Sequence, residues 1–195
     1  MIVIMNMNRE YHLVVYIVMH KLGYPRLFKM LFGVLLVSFA ISAYSNLEYV
    51  KNEERVASSL VDGSGFHVSI LADDIMALAS SYDSDPERTR FLVASAVVNS
   101  KALATLSKAL NDLEGDEHYR KWYLVYGSLF MYFAGLTGKE HEDIVNKLSE
   151  DGEALQKIAA VLERAGSSTN PFEIQREELD NLVDLASALV TSGND

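Results

Sequence analysis

Cysteine is absent from this 195-residue chain. Its absence excludes disulfides, thiolate metal sites, a cysteine nucleophile and a lipid-modified cysteine anchor. Positive charge is also scarce: 17 Lys and Arg stand against 27 Asp and Glu, a formal net charge of −10. Affinity for nucleic acid rests largely on cations that neutralise phosphates, so no nucleic-acid partner is expected. Beyond the first 45 residues no alternating apolar and polar run makes a credible strand. No period of 20–50 residues recurs, which argues against a solenoid of repeats. What is present is a globular composition, 49% hydrophobic and 23% charged, too apolar for a disordered chain.

The two ends differ in charge. Before residue 46, Arg9, Lys21, Arg26 and Lys29 face only Glu10, a balance of +3; from Asn46 onward 13 basic residues face 26 acids, a balance of −13. Between them Met30–Leu47 runs 18 residues without a charge. At about 1.5 Å per residue, such a helix covers roughly 27 Å, near the thickness of a bilayer's hydrocarbon core. The positive-inside rule then predicts a cytoplasmic leader over 1–29, a transmembrane anchor over 30–47 and an acidic body outside the cell. A competing reading makes Met30–Ile41 the apolar region of a cleaved signal peptide, with Ala43-Tyr44-Ser45 as the cleavage site and Met19 as the start. The body would then be secreted. The anchor is preferred, because helical spacing (Leu47, Val50, Ala57, Leu60, Val61) continues straight out of the apolar run.

In the body, apolar residues recur at three and four, which predicts helices. Val68, Leu71, Ala72, Ile75, Leu78, Ala79 and Tyr82 form one stripe over 66–82. Asp85-Pro86 reads as an N-cap followed by proline at the first helical position, opening a helix that runs to Leu113 and stops at Gly115. A third helix spans about 117–136. Thr137-Gly138-Lys139-Glu140 reads as a capping box for the next, which carries on to Gly166 with a break at Asp151-Gly152. Asn170-Pro171-Phe172-Glu173 reads as a further N-cap, N1 proline and capping-box glutamate. The fold class predicted is therefore all-α, an antiparallel bundle of five to six helices over 66–195, behind the membrane-anchor or signal helix. Residues 48–65 form a stalk helix with a hinge at Asp62-Gly63-Ser64-Gly65.

Acids cluster at Asp83, Asp85 and Glu87, at Glu114, Asp116 and Glu117, at Glu140, Glu142 and Asp143, and at Glu150, Asp151 and Glu153. His118 and His141 each join a cluster. Every cluster falls at a predicted helix start, where unpaired N–H groups and the macrodipole favour negative charge by about 0.3–1 kcal/mol each. Capping therefore accounts for them without a metal. Neither a calcium loop, a zinc-protease helix, a nucleophile elbow nor a phosphate-binding loop is present. His67 and Asp74, seven apart, share a helix face and read as surface residues. No metal ligand, catalytic residue or cofactor is assigned.

One feature stands apart from this pattern. Seven of the 19 aromatics lie in the helix at 117–136, and Tyr119, Trp122, Tyr123, Tyr126, Phe130 and Phe133 fall on one stripe at three-four spacing. The segment Trp122–Gly138 is uncharged for 17 residues. A central core helix is the preferred reading, with Gly127 and Gly135 allowing neighbours to approach; a ligand or partner groove is the alternative. Two functions follow. The first is a non-enzymatic, membrane-anchored or exported interaction module, with the lipid bilayer as partner through residues 30–47 and another protein or a second copy as partner of the body. The second is a metal- or small-ligand-binding helical protein, or an enzyme, using the acid and histidine clusters or the aromatic helix.

Overall fold

A computed structural model describes the backbone of residues 24–81 and 85–191, with side chains at 38–39, 42–45, 48–80 and 85–191. Among the described residues six helices are formed: α1 Tyr24–Ser81, α2 Pro86–Glu114, α3 Glu117–Leu136, α4 His141–Glu150, α5 Gly152–Gly166 and α6 Arg176–Thr191. The chain divides into two units, Met1–Asn52 and Glu53–Asp195. The second holds the bundle. Among the described residues the secondary structure is helical throughout, as the three-four spacing predicts.

The expected membrane anchor is overturned. Residues 30–47 are not a helix of their own but lie within α1, a helix of 58 residues. Ser38, Ser42, Ser45 and Asn46 interrupt the apolar run, and α1 passes Leu47 without a break into Glu48, Lys51, Glu53, Glu54 and Arg55. Among the described residues no helix is long and apolar enough to cross a membrane. The single-pass placement, the lipid-bilayer partner and the external position of the body all rested on this segment, and they fall with it. Ala43-Tyr44-Ser45, the cleavage site of the competing reading, lies within the same helix. Most of the basic leader, including the alternative start at Met19, lies outside the described residues. The hinge expected at 62–65 is also helix: Ser64 is buried and donates its hydroxyl to the Val61 carbonyl.

Within the bundle α3 is central, packed along α2 on one side and α6 on another, with α5 against α6 and α4 against α5. The α1 stripe Val68, Leu71, Ala72, Ile75, Leu78 and Ala79 is buried. It is tied to α2 through His67 Nδ1 and Asn99 Oδ1 at 2.8 Å. Its contact with α5 is close, because a Cβ placed on Gly166 would stand 2.7 Å from Ser69 Oγ and 3.2 Å from Ser69 N. At this position glycine lets two backbones meet.

The helix boundaries show which local signals act as read. Asp85 caps α2, its carboxylate accepting from the N–H groups of Glu87 and Arg88, and Asp116 caps α3 by accepting from His118 N–H. Gly115 ends α2 at φ 67°, the left-handed conformation that glycine adopts without strain. Two expected caps do not form. Thr137 turns its hydroxyl back to the Ala134 carbonyl, and α4 starts at Glu140 without a side-chain cap. Asn170-Pro171-Phe172-Glu173 makes a turn, closed by Phe172 N–H on Asn170 Oδ1, and α6 begins only at Arg176. The reason lies in Phe172. Its ring enters the core and its carbonyl accepts from Trp122 Nε1 and His118 Nε2, so that carbonyl is not free to start a helix.

Candidate functional site

The aromatic helix α3 supplies the site, and its period decides which rings face inward. Trp122, Tyr126 and Phe133 are fully buried and Tyr119 nearly so. Trp122 stacks on Tyr126 with ring centroids 5.2 Å apart and meets Phe172 edge-on at 5.8 Å. Its indole N–H donates to the Phe172 carbonyl at 2.8 Å, so the polar edge of the ring is satisfied in the core. Tyr132, off the predicted stripe, is buried as well and packs edge-on against Phe133. Its position follows from α3 being covered on more than one side, which widens the buried face beyond a single stripe.

Burial suppresses the acidity of these phenols. Tyr126 is pushed up by loss of water alone. Tyr132 is pushed up first by burial and then by the carboxylates of Asp151 and Glu150, and Tyr119 first by burial and then by Glu114, Asp116 and Glu173. None of the three supplies a phenolate base at neutral pH.

The two remaining members of the stripe stand outside this core. Phe130 is half-buried and Tyr123 is 40% exposed, beside Leu124 at 44% and Met131 at 59%. Together with Ala104 of α2 and Ser187, Val190 and Thr191 of α6, they line a groove of about 530 Å³. A second hollow of about 390 Å³ shares Met131 and Val190 with the first and runs on past Tyr132, Gly135 and Leu136 to Lys139 and Lys147. The glycines explain the depth. A Cβ on Gly127 or on Gly135 would meet nothing within 4 Å. The expectation that these two allow close helix packing is therefore corrected: they lie on the open side of α3, where one lines each hollow. The sequence held this signal. Two glycines in a helix of large side chains cost roughly 0.5–1 kcal/mol each relative to alanine, without a packing return.

What the groove can do chemically follows from its lining. Carbon surface dominates, with the hydroxyls of Tyr123, Ser128, Ser187 and Thr191 and no carboxylate or imidazole. Such a lining holds an apolar molecule and orients it, but offers no acid–base pair. A smaller cleft of about 280 Å³ lies among His118, Lys121 and Arg176. Its charges are engaged within the protein, Lys121 with Asp180 and Arg176 with Glu117.

Among the described residues, which leave out Asp83, the acid and histidine clusters do not assemble a centre. Among the described residues no three His, Asp or Glu side chains stand close enough to hold a metal ion. Asp85 and Asp116 serve as helix caps, and His118 is engaged with the Phe172 carbonyl. His67 and Asp74 do meet in one polar network across the α1–α2 contact. His67 pairs with Asn99, while Ser95 and Asn99 hydrogen-bond the buried Asp74 carboxyl, whose acidity burial weakens. The chain matches no protein family, no curated protein and no solved structure. Function is therefore argued from the site alone.

Proposed function

We propose that this protein binds a small apolar ligand in the groove between α2, α3 and α6. The membrane-anchored or exported interaction module is not carried further, because its anchor is not supported. The metal-binding variant lacks a ligand set among the described residues. What supports the ligand reading is one observation: large apolar side chains stay exposed along a concave path that two glycines keep open. Leaving Tyr123, Leu124 and Met131 in water forgoes about 25 cal/mol for each Å² of apolar surface that an occupant would cover. Volumes of about 300–1,000 Å³ suit small-molecule sites, and the groove at about 530 Å³ lies within that range.

The test is to fill the groove from within. Gly127→Leu puts a side chain into open space. It also replaces a poor helix former, a gain of about 0.8 kcal/mol. Full-length protein is titrated with the neutral fluorescent probe N-phenyl-1-naphthylamine. Wild type should bind and brighten the probe, while Gly127→Leu should melt no lower than wild type and lose the signal. Equal probe binding by both proteins would show that the groove is not the site.

A further inference from the structure

The two hollows adjoin along α3, with Met131 and Val190 lining both. Along α3 they run from Gly127 to Leu136, nine residues, or about 14 Å at 1.5 Å per residue, and Lys139 stands in the turn beyond the helix end. One end is apolar, against Tyr123, Leu124 and Phe130, with Lys101 Nζ outside the lining and 5.8 Å from the Phe130 ring centre. The other ends at two cations, Lys139 and Lys147. Among the described residues no acid lines either hollow, although the chain as a whole carries ten net negative charges. The two lysines are not equivalent. Lys147 bonds Asp151 at 3.2 Å and Glu150 at 3.7 Å, whereas Lys139 is exposed and its ammonium enters no ion pair among the described residues.

A long narrow path, apolar at one end and carrying one available positive charge at the other, matches a chain with a single anionic head. A compact ring system would use only half of it. Resting on the ligand reading above, we propose that the occupant is a monomeric single-chain carboxylate amphiphile of the fatty-acid type, its tail between Phe130, Met131 and Val190 and its carboxylate at Lys139. Beside the tail the Thr191 hydroxyl donates to the Ala188 carbonyl, and Ser187 is exposed at the groove edge. Lys139 contributes head-group choice, and the apolar walls contribute most of the affinity.

The experiment displaces bound N-phenyl-1-naphthylamine from full-length protein with dodecanoate and with dodecan-1-ol, each below its micellar concentration. The two share a tail and differ in head charge. Wild type should prefer dodecanoate by about three- to fivefold, the upper part of what one exposed ion pair contributes. Lys139→Gln should bring the two ligands within about twofold, and Lys139→Arg should restore the preference. Lys139 is exposed, so these variants should melt as wild type does. If both ligands displace the probe equally from wild type, or if Lys139→Gln leaves the preference intact, the head-group assignment is wrong and the groove reading stands. If wild type does not bind the probe at all, both readings fall together. Binding to anionic vesicles without displacement by monomeric dodecanoate also overturns the proposal, in favour of a lipid surface.

Discussion

Trp122 allows the core of the bundle to be tested on one side chain. It is fully buried, stacked on Tyr126, edge-on to Phe172, and donates its N–H to the Phe172 carbonyl. A buried tryptophan removes about 150–250 Å² from water, worth roughly 4–6 kcal/mol at about 25 cal/mol per Å². Trp122→Ala keeps a small part of that area and leaves a cavity among aromatic rings that cannot collapse freely. The expected loss is about 3–5 kcal/mol, a large share of the ~5–15 kcal/mol that holds an ordinary domain folded. Trp122→Phe keeps an aromatic ring but loses the indole donor. The Phe172 carbonyl still accepts from His118, so that change should cost less, about 1–3 kcal/mol for the lost hydrogen bond and imperfect fit. Both are read from urea unfolding followed by far-UV circular dichroism. Because this is the only tryptophan, wild-type emission reports on it alone and should be blue-shifted and protected from acrylamide. Red-shifted, freely quenched emission from folded protein would refute the packing described here. So would a Trp122→Ala variant within about 1 kcal/mol of wild type, which is below any cavity cost for a residue of this size.

Two further substitutions test other parts of the fold. Gly166→Ala should lower the urea midpoint, by about 1–3 kcal/mol of stability, because its Cβ would press on Ser69 N and Cα as well as on Oγ; Gly135→Ala, placed in open space, serves as the neutral or stabilising control. Asp74 binds its proton more tightly in the folded protein than in the unfolded chain, chiefly through burial and secondarily through the neighbouring Asp73 charge. The stability that follows from this is present at low pH and is lost as pH rises through the raised folded-state pKa. Asp74→Asn should therefore melt above wild type near neutral pH, and the difference should close as pH falls below about 3.9, where the unfolded-state carboxyl is protonated too. A difference that stays constant across that range would mean that the Asp74 charge has no part in it.

Much of the architecture is legible in residue spacing, and the misreadings share a cause. Asp85-Pro86 and Asp116 act as caps because each is solvent-exposed and answers only to its own helix. Asn170-Pro171-Phe172-Glu173 carries an equally good local signal and still fails. There the competing partner is distant: Trp122 and His118 take the Phe172 carbonyl from some fifty residues away. Local chemistry proposes a helix start, and tertiary packing overrides it wherever a core side chain claims the same atoms. Asp62-Gly63-Ser64-Gly65 fails in the opposite direction. Small residues lower the local preference for helix without forbidding it, and packing retains the helix, with Ser64 buried and a Cβ on Gly65 reaching to 3.6 Å from Pro171 Cγ. The apolar run at 30–47 misleads for a third reason. Hydropathy counts a segment's own side chains, while the helix that holds the segment is defined by backbone hydrogen bonds that continue through Glu48, Lys51 and Arg55.

The aromatic helix shows why core and site are hard to separate from one strand of sequence. Six rings at three-four spacing describe a direction, but not how much of that direction is covered. In the structure α2 and α6 close over Trp122, Tyr126 and Phe133 and leave Tyr123 and part of Phe130 at their margin. A ring at the margin and a ring in the centre look alike by composition and by period. The distinguishing mark is what stands beside the marginal rings. Gly127 lies next to Tyr126 in sequence, but in space it faces the opening, and Gly135 repeats the arrangement two turns later. A helix selected only for packing would gain from alanine at either position, because nothing lies within 4 Å of a Cβ there. Keeping glycine forgoes that stability, and an open channel along α3 is what the sacrifice produces.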